Sequence, residues 1–95
     1  MDWEKEAKAF MYLMNKLVET YPRIVPKEEV NLVRKAYLDR DEWSFVIHSS
    51  AVALFFRYSK EYEEDPLVQE LVSIAHRILL KYKSRIEENG GESYG

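Results

Sequence analysis

Residues 42–58 read EWSFVIHSSAVALFFRY, and apart from serines, one histidine and charges near the ends nothing in this stretch is polar. At helical spacing one side presents Trp43, Ile47, Ser50, Leu54 and Tyr58. Another presents Phe45, Ser49, Val52 and Phe56, with Val46, Ala53 and Phe55 between them. A helix that is apolar on so much of its circumference is expected to be buried, either by its own fold or by a second molecule. Ser49, Ser50, Ala51 and Ala53 are small enough to let a neighbouring helix approach closely.

Three more helices are predicted around it. The first follows Asp2, an N-cap candidate, and repeats Trp3, Ala7, Phe10, Met14, Leu17 and Tyr21 on one stripe until Pro22 ends it. The second opens at Pro26, whose missing N–H is harmless in a first turn, and carries Val30, Val33 and Tyr37 on one face. Asp39 followed by Glu42 has the form of a capping box, so the third helix is expected from about residue 40 to residue 62, with Arg57/Glu61 and Lys60/Glu64 as supporting pairs. Asp65-Pro66 opens the fourth, and Asn89-Gly90-Gly91 supplies a left-handed stop before a frayed tail. The expected architecture is all-α: an antiparallel up-down four-helix bundle with helices about 3–21, 26–39, 40–62 and 66–88. One domain covers 1–89 and a flexible tail 90–95.

The helices so drawn have unequal lengths. At 1.5 Å per residue the third and fourth run roughly 34 Å and the second only about 20 Å, so the third should overshoot the bundle by ~14 Å before turning. The overshooting tip would carry Phe55, Phe56, Tyr58, Tyr62, Leu67 and Val68 as an apolar contact surface. Each large apolar side chain removed from water contributes roughly 1.5–3 kcal/mol, so association is expected, most simply as a homodimer. A different protein partner would serve the same purpose.

Fourteen Lys and Arg against 17 Asp and Glu leave a net charge of −3, which offers no global attraction for nucleic acid or anionic lipid. A local one exists: Arg77, Lys81 and Arg85 recur at four-residue spacing and form a basic stripe for a possible nucleic-acid contact, the second functional reading. Its ordinary role would be to complement the negative end of a helix. The acidic KEYEED at residues 60–65 reads as a solvated cap. With no Cys the chain is indifferent to redox state, and with no signal-like start or long apolar run it is expected to be cytoplasmic and not membrane-bound. Its Glu and Lys content, with a single Gln and a single Thr, resembles thermophile usage.

No catalytic residue, cofactor or metal is expected. Neither His48 nor His76 has a carboxylate three or four residues away on its own helix, as a helical metal site would need. Ser44, Ser49, Ser50, Ser73 and Ser84 all fall within predicted helices, away from the strained Gly-containing turns that activate nucleophiles, and Gly occurs only at 90, 91 and 95. A small enzyme is thus the third reading.

The segment VRKAYLDRDEWSFVIHSSAVALFFR, residues 33–57, resembles the central hairpin of HEPN-type helical domains, in which a short polar turn leads into an aromatic-rich helix with small residues. It covers about a quarter of the chain. The nucleases among them carry an Arg, four to six intervening residues and a His; no Arg stands at that distance before His48 or His76, so the resemblance implies no catalytic residue here.

Overall fold

The computed structural model describes the backbone of residues 2–94 and the side chains of residues 3–88. Among these residues there are helices and no strands: α1 (Asp2–Thr20), α2 (Lys27–Leu38), α3 (Glu42–Arg57), the single turn α4 (Glu61–Glu64) and α5 (Pro66–Tyr94). The first stripe is buried as its spacing requires, with Trp3, Ala7, Phe10, Met14 and Leu17 all in the core. Helix α1 already includes Asp2, whose side chain lies outside the described residues. From α2 the core receives Val30, Val33 and Ala36.

Both ends of α3 differ from the sequence-based expectation, for local reasons. Arg40 adopts φ 55°, its N–H donates to the Tyr37 carbonyl, and the Asp41 N–H donates to the Ala36 carbonyl. This is a Schellman stop built on arginine instead of glycine, which no composition signal announces. Helix α3 therefore begins at Glu42, and its N-cap is Asp41, whose carboxylate accepts from the Ser44 N–H at 3.2 Å, not Asp39. At the other end α3 stops at Arg57 instead of continuing to 62. The Ser59 hydroxyl and N–H both donate to the Phe56 carbonyl, at 2.6 and 3.1 Å, and the chain turns there. Neither Arg57/Glu61 nor Lys60/Glu64 forms an ion pair among the described residues; Arg57 lies over the Tyr62 ring at 5.8 Å instead.

Asp65 caps α5 as its sequence suggests, accepting from the Leu67 N–H at 2.9 Å. The stop at Asn89 does not occur: α5 continues to Tyr94 and neither Gly90 nor Gly91 has positive φ, since glycine permits a left-handed turn without compelling one. The side chains of the expected tail, 90–95, lie outside the described residues.

Helix α3 packs between α2 and α5, and α1 lies on α5. Helices α1 and α5 are antiparallel: Lys81 meets Glu6 near one end, and Tyr21 meets Asp65 at the other. The aromatic centre is Phe45, with Trp3, Phe10 and Tyr37 rings at 5.6, 5.9 and 6.1 Å from it. Two helices, α1 and α2, thus converge on one α3 residue, which fixes the side that α3 turns inward. Helix α5, 29 residues and roughly 43 Å long, sets the long dimension of a 47 × 27 × 20 Å molecule.

Candidate association face on α3 and α5

Of the two apolar stripes on α3, the one through Phe45, Ser49, Val52 and Phe56 faces the core and all four residues are buried. Buried Ser49 is satisfied locally, its hydroxyl donating to the Val46 carbonyl. The other stripe is left outside. Trp43 is 55% exposed, Ile47 41% and Leu54 51%. Helix α5 extends this apolar strip with exposed Leu79 and Ile86 and half-buried Val72 and Tyr82. Between the two helices runs a groove of about 570 Å³ lined by Ser50, Ala53, Leu54, Val72, His76 and Leu79 among others. At the other end of the face Trp43 stacks on Tyr82, ring centroids 5.3 Å apart.

The exposed apolar surface is therefore not where the sequence-based reading places it. Phe56 and Val68 are at 0% exposure within the chain's own core and cannot contact a partner. Tyr62 is half-buried, folded back onto that core by the turn at Ser59. Phe55, Tyr58 and Leu67 remain exposed, but no overshooting tip carries them, because α3 is 16 residues long and not 23. The Tyr21 to Asp65 contact places the end of α1 level with the start of α5.

The basic stripe is also corrected. Lys81 Nζ lies 2.9 Å from Glu6, Arg77 lies 3.7 Å from Glu6 and 3.9 Å from Glu70, and Arg85 pairs with Glu42, its Nη1 donating to Oε1 at 3.2 Å. Glu6 stands on α1 and Glu42 on α3, so spacing along α5 reveals neither of them. The three cations tie α5 to its neighbours and present no free array to phosphate.

His48 and His76 are not brought together. His48 faces α2, where Nδ1 is 3.4 Å from Glu29 Oε2, whereas His76 opens onto the α3/α5 groove. Glu29 is a partner that sequence spacing missed, since it lies one helix away. No group of three His, Asp or Glu side chains able to hold a metal occurs among the described residues. No hydrogen bond joins His76 to Ser50 or Ser73 among them. No helix among them is long and apolar enough to cross a membrane.

Against family profiles, curated proteins and solved structures, the chain matches none. The exposed face of α3 and α5 has an apolar centre in Ile47, Leu54 and Leu79, an aromatic end at Trp43 and Tyr82, and the charged groups Arg57 and Lys83 near its edges.

Proposed function

We propose that this protein is an association module in which four long helices run up and down as a bundle, and that the outer face of α3 and α5 binds a second copy of the same chain. The observation that carries the reading is the continuous exposure of Trp43, Ile47, Leu54, Leu79 and Ile86 on two adjacent helices. From Pro66 to Ile86 this face is about 31 Å long and about 20 Å wide, a footprint of roughly 600 Å² before side-chain corrugation. A standard interface removes about 800 Å² per partner, so the face is of the right order for one symmetric contact.

A two-fold axis through the middle of the face sets the Trp43 end of one copy on the Leu54 end of the other. It also brings Lys83 of each copy toward Glu61 and Glu64 of its mate. None of these three is ion-paired within the chain among the described residues. The mechanism is burial: apolar centre against apolar centre, with charges at the rim setting register.

Light scattering at micromolar concentration tests this. The wild type is expected to have twice the mass of one chain, and Leu54→Glu with Leu79→Glu to halve it with helicity unchanged. A wild type that stays monomeric at about 100 µM, near the weak end of specific association, refutes the reading.

A further inference from the structure

The α1/α2 side of the molecule has an opposite character. Lys5, Lys8, Tyr12 and Lys16 recur at spacings of three, four and four along α1, and all are exposed. Beside this stripe, where α2 lies against α1, Lys27, Asn31 and Arg34 line a groove floored by Val18, Val25 and Val30. The Arg34 guanidinium is fixed across it: Nη2 and Nε donate to Asn15 Oδ1 at 2.8 and 3.1 Å, and Nη1 donates to Asn31 Oδ1 at 3.3 Å. Both partners are neutral amides, so the guanidinium is positioned without its charge being cancelled.

Among the described residues none of Lys5, Lys8, Lys16, Lys27 and Arg34 has a carboxylate within salt-bridge distance, in contrast to Arg77, Lys81 and Arg85 of α5. Glu19 is the one acid in the α1 stripe. Five cations and Glu19 give this face four net positive charges, so the rest of a chain whose total is −3 carries seven negative. Such segregation creates a local field that the overall charge conceals, and it orients a polyanion toward one face. Tyr12 stands in the middle of the stripe, 69% exposed, with Lys16 Nζ 5.8 Å from its ring centroid.

We propose that the α1/α2 face binds single-stranded nucleic acid, with phosphates along Lys5, Lys8, Lys16, Lys27 and Arg34 and a base stacked on Tyr12. From Lys5 to Lys16 the stripe runs roughly 16 Å along the helix axis, enough for several phosphates. A cationic track with an exposed ring in it is the arrangement that serves unpaired strands, whose base faces are free to stack; a duplex offers no such face. A lipid surface is served by large apolar residues beside the cations, and this stripe has Tyr12 alone with Glu19 in line. The site is separate from the α3/α5 face and stands whether or not that face pairs two chains.

Fluorescence anisotropy with a fluorescein-labelled oligo-dT or oligo-U strand of about a dozen nucleotides tests it. Saturable binding is expected at about 50 mM salt, weakening roughly 20- to 50-fold by about 200 mM if three or four phosphates are neutralised. Lys8→Glu with Lys16→Glu, or Arg34→Glu alone, should weaken binding and flatten the salt dependence. Tyr12→Ala should weaken it about tenfold and leave the salt dependence unchanged. Lys60→Glu, in the turn between α3 and α4, should leave binding as in the wild type, and circular dichroism of each variant confirms the fold. No binding at about 100 µM protein and low salt, an equal loss in Lys60→Glu, or binding to duplex or phosphatidylserine vesicles with none to the single strand, each overturns the proposal.

Discussion

The Tyr21 hydroxyl donates to Asp65 Oδ2 at 2.6 Å while the other oxygen of Asp65 accepts from the Leu67 N–H. One carboxylate thus caps α5 and fastens it to the end of α1. The phenol's hydrogen bond, followed by that of the Leu67 N–H, holds Asp65 below its ordinary 3.8. Tyr21 is in turn raised above its ordinary 10.0, first by the same hydrogen bond, then by burial and the neighbouring acids.

The pair makes stability depend on pH at both extremes. A depressed carboxylate adds stability above its unfolded pKa that is lost as pH falls through the folded value; a raised phenol adds stability below its unfolded pKa that is lost as pH rises through the folded one. Thermal melts of Tyr21→Phe should therefore lose less than the wild type on acidification below 3.8 and on alkalinisation above 10.0. Parallel pH profiles for the two proteins would mean that the contact is not made in solution.

Phe55 and Phe56 are adjacent in the chain and opposite in role. Phe56→Ala should cost about 3–5 kcal/mol in urea unfolding, because a fully enclosed ring leaves a cavity. Phe55→Ala, at a residue 42% exposed, should cost about 1 kcal/mol or less. Comparable losses would show that α3 is rotated from the orientation described.

Arg40 holds a left-handed conformation that disfavours any side chain with a Cβ. It is supported by Glu4 at 3.2 Å and by the Tyr37 ring. Both Arg40→Ala and Arg40→Gly remove that support, but only glycine relieves the backbone, so the glycine variant should be the more stable of the two by about 1 kcal/mol. If alanine is equal or better, the Schellman stop is absent.

The association proposed for α3 and α5 would stabilise the folded chain by mass action, so the melting temperature of the wild type should rise with protein concentration. That of Leu54→Glu with Leu79→Glu should not. Differential scanning over a hundredfold dilution series, about 1 to 100 µM, reads the difference directly.

Much of the fold is legible in the chain. The stripe on α1, the punctuation by Pro22 and Pro26 and the cap at Asp65 are local signals, since a helix start or a buried stripe depends on residues within a few turns. Arg40 and Ser59 are not legible, because a left-handed stop is ordinarily signalled by glycine and a serine inside a helical pattern carries no directional signal. The partners Glu6, Glu42 and Glu29 were hidden for another reason: each reaches its cation or imidazole from a different helix.

From the order of its residues alone, the chain specifies helices and, within α3, two apolar stripes that share no side. Periodicity goes no further, because it groups residues onto a face without saying where the face points. Packing decided that Phe45 and Phe56 turn inward and Trp43, Ile47 and Leu54 outward, since Trp3, Phe10 and Tyr37 from two other helices close around one stripe. It also decided that Arg77, Lys81 and Arg85 of α5 meet carboxylates while Lys5, Lys8 and Lys16 of α1 and Lys27 and Arg34 of α2 meet none among the described residues. Charge cancellation is a matter of distance in space, and contacts as far apart in the chain as Glu6 and Lys81 come within reach only once the helices have met.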